Sequence, residues 1–182
     1  MRQFTLCSLL FLLVAGHCVA QQTSKIQVGL EQDILPYVTG GYFGGVWVGK
    51  NHVRLRAITA RVHKPDFVIA NGFTNNKVTA YAMLVDYFPN DGWSGWWVGG
   101  GMVYWKSSIQ GKEKLGIANF KNYMLNGSMG YNWKWKQWFY LGPWAGMHFR
   151  IGGVKEISVD GKTYTPPLLN PEASVKVGWI IH

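Results

Sequence analysis

Few side chains in this chain are able to do covalent or acid–base chemistry. His148 and Ser128 are the best placed, because both fall on the polar rows of alternating segments that also carry candidate acids. Nucleophilic catalysis needs a hydroxyl, a base and an orienting acid within hydrogen-bond reach, and nothing in the spacing brings these together. His52 and His63 stand near opposite ends of one segment, which is not the clustering a metal ion requires. Cys7 and Cys18 both lie within the first 20 residues, so the rest of the chain has no thiolate and no disulfide. The glycine-rich stretches 40–45 and 99–101 lack the strand–loop–helix context of a phosphate loop. Glycine in a strand more often allows bending or close packing. The expectation is no enzyme, no cofactor and no bound metal. What the polar rows hold instead is a set of charged or titratable groups: Glu31, Asp33, Arg54, Arg56, Asp86, His148, Arg150, Glu172 and Lys176. Buried together, such charges must pair, because an unpaired one is costly. They would form a structural ion network or a polar binding site.

Those rows follow from a period-two alternation that runs through most of the chain. In 137–151, Phe139, Leu141, Pro143, Ala145, Met147, Phe149 and Ile151 oppose Trp138, Tyr140, Gly142, Trp144, Gly146, His148 and Arg150. At about 3.3 Å per residue, a tilted strand of this length crosses a bilayer. Near the C-terminal end Ala173, Val175, Val177, Trp179 and Ile181 oppose Glu172, Ser174, Lys176 and Gly178. Ile26, Val28 and Leu30 oppose Gln27, Gly29, Glu31 and Asp33; Val53, Leu55 and Ala57 oppose His52, Arg54 and Arg56. In 123–132, Tyr123, Leu125, Met129 and Tyr131 oppose Asn126, Ser128, Gly130 and Asn132. The segments 41–49, 77–88 and 93–106 are apolar or glycine-rich on both rows, and their orientation stays open. Eight strands result. Short links near 49–51, 89–92 and 133–136 alternate with longer ones at 64–76, 107–118 and 152–168, and 35–40 joins the first two strands.

Ten Trp, nine Tyr, nine Phe and 23 Gly accompany only 15% charged residues. Arg2, the apolar stretch Leu6 to Ala15 and Cys18-Val19-Ala20 read as a signal peptide cleaved before Gln21. His17 argues against a lipoprotein, because a small residue normally precedes an acylated cysteine. The expected organisation is a signal peptide over 1–20 and one domain over 21–182. Beyond the signal no apolar run approaches the ~20 residues of a membrane helix. A chain of that kind spans a membrane only as a closed barrel, in which every backbone group is paired. An even strand number with alternating links is the pattern of membrane barrels with short periplasmic turns and long outer loops. It also gathers Trp47, Trp93, Trp96, Trp133, Trp135, Trp138 and Trp179 at the short-link end. An aromatic belt would use them there, because the indole is apolar while its N–H stays wet.

In this pattern, and in Gly29-Leu30-Glu31-Gln32-Asp33, Gly40-Gly41-Tyr42-Phe43 and Pro171-Glu172-Ala173-Ser174, the chain resembles the small eight-stranded outer-membrane β-barrel proteins of Gram-negative bacteria. The resemblance implies an all-β fold: a closed eight-stranded antiparallel up-and-down transmembrane β-barrel in the bacterial outer membrane. It also implies insertion by the barrel-assembly machinery, and a monomer is expected. That family's last strand usually ends in an aromatic residue, whereas this chain ends in His182. A barrel of eight strands has room for side chains or one small ligand, which excludes a wide pore. Such barrels include lipases and acyltransferases built around a His and a Ser, but none of the three stretches is a catalytic signature.

The chain carries 18 Lys and Arg against 9 Asp and Glu, a net +9. The cations form no single run, so nucleic acid is not an expected partner. Lys106, Lys112, Lys114 and Lys121 gather near one long link and Lys155 and Lys162 near another, where they are expected to meet outer-membrane lipid, including anionic glycolipid. The leading reading is an outer-membrane barrel with a structural or surface and lipid-interaction role. Two others stay open. A soluble exported lipocalin-like barrel would turn the apolar rows inward around an apolar ligand, and a membrane-embedded lipid hydrolase or acyltransferase would depend on His148.

Overall fold

A computed structural model describes residues 25–113 and 116–181. The expected signal peptide, Lys114 and His182 lie outside the described residues. Alternation makes the strands. In Val53–Lys64, Arg54, Arg56, Ile58 and Ala60 turn to one side while Val53, Leu55 and Ala57 are exposed on the other. In chain order the elements are β1 (Gln27–Asp33), the short helix α1 (Ile34–Val38), β2 (Tyr42–Lys50), β3 (Val53–Lys64), β4 (Phe73–Tyr87) and β5 (Gly95–Gly111). They continue with β6 (Ile117–Trp135), β7 (Phe139–Gly153), the short strands β8 (Ile157–Val159) and β9 (Lys162–Tyr164), and β10 (Leu169–Ile181). The long strands pair antiparallel with their neighbours, and β1 closes the ring onto β10 with Val28 opposite Ile181. The fold is therefore the closed eight-stranded up-and-down barrel that alternation and link parity predict.

Two boundaries differ from expectation. The links expected at 64–76 and 107–118 shrink to 65–72 and 112–116, because β3 runs on to Lys64, β4 starts at Phe73, and β5 and β6 pair as far as Gln110 and Ile117. Pairing continues because Ile109 and Phe120 keep facing inward, where they pack with Ile69, Phe73, Val159 and Tyr164. The hairpin of β8 and β9 supplies the last two of these residues, so the expected loop 152–168 is partly a clasp over the barrel mouth.

The outward rows are apolar over a continuous band. Val46, Val48, Leu55, Met83, Val85, Val98, Met102, Leu125, Met129, Met147 and Phe149 are all exposed. A soluble monomer rarely shows apolar surface of this extent, and the polar rows face inward, the reverse of what a lipocalin-like barrel needs. The band faces lipid. Trp96, Trp133, Trp135 and Trp138 are exposed at the end of the short turns, with Trp179 half-buried beside them. Tyr81, Tyr104 and Tyr123 form a row on the adjacent strands β4, β5 and β6 towards the other side. On β5 the two girdles are separated by the run from Trp96 to Tyr104. At about 3.3 Å per residue and a tilt of about 40°, that places them roughly 20 Å apart along the axis, close to the apolar band of membrane barrels.

Candidate functional site

The lumen is filled in layers. At the turn end, Trp47, Phe88, Trp93, Trp97, Tyr140 and Ile180 form one buried cluster. Trp47 and Trp93 are thus corrected from belt to plug: their rings lie 5.5 Å apart inside the barrel, and Trp93 donates to Gln27 over 2.6 Å. The reason is space. Gly29 and Gly49 leave room on the inner wall where the rings of Trp47 and Trp93 lie, and side chains there would overlap them.

Immediately beyond the plug, four of the expected charges meet. Arg54, fully buried, reaches Glu31 at 2.9 Å through Nη1 and Asp86 at 2.8 Å through Nη2. Arg56 reaches Glu31 at 3.2 Å and Asp86 at 2.7 Å. The Tyr140 hydroxyl accepts from Arg54 over 3.0 Å and donates to Glu31 over 2.6 Å. The Arg54 guanidinium also stacks over Phe88 and Trp47, at 4.9 and 5.4 Å from the ring centres. Two acids and two guanidinium groups in mutual contact balance one another, which is how charges persist out of water.

Towards the loop end the remaining groups separate. Asp33 caps α1 by accepting from Leu35 N–H, and it also accepts from Ser174 and from the Trp144 indole at 2.5 and 2.6 Å. Lys176 is buried between the rings of Trp97 and Trp144. His148 pairs with Glu172 at 3.1 Å. Arg150 does not join the network: it is half-buried and donates to the Val154 carbonyl over 2.6 Å. Lys64, which sequence reasoning overlooked because it was assigned to a loop, joins this half of the lumen over the Trp105 ring. Ser128 is no partner of His148, since β6 and β7 set Asn126 opposite His148 and Ser128 opposite Gly146. The hydroxyl–imidazole contact that acyl transfer requires is missing, and no metal-binding cluster occurs among the described residues.

Outside, β-sheet register builds a basic rim. Thr59, Tyr81, Tyr104 and Tyr123 are successive cross-strand partners. Two residues nearer the loop end, Arg61, Thr79, Lys106 and Lys121 are aligned in the same way. Lys106 lies over the rings of Tyr81 and Tyr104 at 5.4 and 5.9 Å. Together with Lys77 these cations line a groove of about 480 Å³. Arg61 and Lys77 were not legible as members, because only the register brings them beside Lys106. Of the other expected lipid contacts, Lys112 and Lys155 are exposed in the outer links, and Lys162 is engaged by Glu113 at 3.0 Å.

No protein-family model matches this chain, and no curated protein matches it in sequence. Among solved structures it is similar to the N-terminal β-barrel domain of Pseudomonas aeruginosa OprF, with a TM-score of 0.53 and 12% identity over 86% of this chain and 95% of that one. It is also similar to Neisserial surface protein A, NspA, with a TM-score of 0.50 and 11% identity over 85% of this chain and 93% of that one. At such identities the likeness is one of fold: this chain is built as the small bacterial outer-membrane barrels are.

Proposed function

We propose that this chain is an integral, non-conducting barrel of the bacterial outer membrane, and that its basic rim holds anionic glycolipid of the outer leaflet by its phosphates. The observation that carries this reading is the cross-strand pair Lys106 and Lys121, flanked by Arg61 and Lys77 directly beyond the tyrosine row. Like charges placed opposite each other in a sheet repel, and a bound phosphate turns that repulsion into attraction. With short turns towards the periplasm, the rim lies at the level of outer-leaflet headgroups. Below it, the lipid-facing wall has a shallow apolar groove between Leu30, Val46, Ala57, Met83 and Met102, bounded by Tyr81 and Tyr104. One lipid would place its phosphate on the rim and an acyl chain in this groove.

The test uses the barrel folded in nanodiscs and titrated with bisphosphorylated lipid A or its dephosphorylated form. Only the phosphorylated lipid should bind, and Lys106→Glu with Lys121→Glu should weaken it at least about tenfold, roughly 1.4 kcal/mol. Lys50→Glu, at the opposite end, should leave binding unchanged. Equal binding of the two lipids, or an unaffected double variant, defeats the lipid reading. Recovery of the protein from periplasm without detergent defeats the membrane one.

A further inference from the structure

Beyond the ion cluster the lumen is not filled. A cavity of about 100 Å³ remains, and its two sides differ in kind. β3 and β4 line it with Ile58, Ala60, Val62, Val78, Ala80 and Ala82, bounded on β3 by Arg56 and Lys64; Ile58 pairs with Ala82 and Ala60 with Ala80. Small apolar side chains opposite one another are what leave the space. β6, β7 and β10 line the other side with Asn126, Ser128, Trp144, His148, Glu172 and Lys176, in which Glu172 is paired with His148.

Two polar groups on that second side lack a partner of the expected kind. Lys176 is only 4% exposed, and among the described residues it forms no ion pair. Its ammonium lies 4.8 and 4.5 Å from the ring centres of Trp97 and Trp144, and ring faces compensate a buried cation only in part. The neighbouring acids are already occupied, Asp33 by three donors and Glu31 and Asp86 by the two arginines. Ser128 Oγ is buried without a hydrogen-bond partner among the described residues, whereas buried polar atoms normally have one, and its hydroxyl is able to donate to an anion. The group that fits is an anion with an apolar body.

We infer that this cavity binds a small monocarboxylate, its carboxylate on Lys176 and its short chain against the β3–β4 wall. At about 100 Å³ it is smaller than the roughly 150 Å³ cavity that holds one benzene ring, which suits a chain of three or four carbons. The aromatic plug closes the turn end, so access is from the loop end, past Leu35 and Pro36 of α1, which line the cavity. The inference is independent of lipid binding at the rim.

Calorimetric titration of propionate and butyrate into the barrel in nanodiscs, with empty nanodiscs subtracted, should show one saturable site. Butanol and butylamine should bind at least about tenfold more weakly. Lys176→Met should weaken carboxylate binding by a similar factor while the barrel keeps its heat-modifiable gel shift. If that variant fails to fold, Ala80→Phe fills the cavity from the opposite wall and should abolish binding. Failure of both carboxylates to saturate, equal binding of butanol, or undiminished affinity in either variant would overturn the inference.

Discussion

Tyr140 reaches the ion cluster because Gly178, its cross-strand partner on β10, has no side chain; a Cβ there would overlap the phenol ring. The same device seats Trp97, whose ring would stand 2.7 Å from a Cβ on Gly130. Tyr140→Phe should cost about 1–3 kcal/mol, because Glu31, held also by Arg54 and Arg56, loses one of its three donors in a buried site. Gly178→Val should cost more, on the order of 3–5 kcal/mol, since expelling the ring breaks a buried charge network. Urea unfolding in lipid vesicles measures both, and a smaller cost for Gly178→Val than for Tyr140→Phe would show that the glycine does not seat the ring. At this scale the sequence was readable where charge marks the inner row, as in β3, where Arg54 and Arg56 can only face away from lipid. It was not readable in β2, where Gly44, Val46 and Val48 oppose Phe43, Gly45 and Trp47 and neither row carries a charge. Trp47 therefore reads as a belt residue from its place at the short-link end, whereas the structure turns it inward.

The clasp of β8 and β9 works as a unit on the loop end. Tyr164 packs edge-on against Phe73, with ring centres 5.0 Å apart, and accepts from Asn76 over 3.2 Å. Burial raises its phenol above the ordinary value near 10, and the Asn76 hydrogen bond offsets only part of that rise. The closed clasp therefore holds the proton more tightly than the open one. Its stability is whole below about pH 10 and is lost as pH climbs through the raised value. Proteolysis of the 154–168 link should accelerate above pH 10 in the wild type, while Tyr164→Phe should flatten that rise; parallel profiles would dismiss the phenol as the cause. The clasp was not legible beforehand, because three-residue strands separated by Asp160 and Gly161 carry too little alternation to stand out from a loop. Strand number and order were legible, since each long strand repeats its pattern over many residues and link lengths add an independent parity.

At the scale of the whole molecule, two separate seals decide whether the barrel conducts. The aromatic cluster blocks the turn end, and the four-residue ion cluster spans the lumen beyond it. An eight-stranded barrel leaves an interior that side chains fill, and both layers here are buried and largely paired, so neither opens without losing its contacts. Wild-type protein in a planar bilayer should therefore show no stepwise conductance at moderate voltage. Replacing the ion cluster alone, as in Arg54→Ala with Asp86→Ala, should still leave the bilayer silent, because Trp47, Trp93 and Trp97 remain across the turn end. Truncating Trp47 and Trp97 together with that pair should give small steps if the barrel still inserts, which its heat-modifiable gel mobility reports. Steps in the wild type would refute the closed lumen. Steps after the ion-pair change alone would show that the aromatic layer is no seal, and would make the charge cluster a gate.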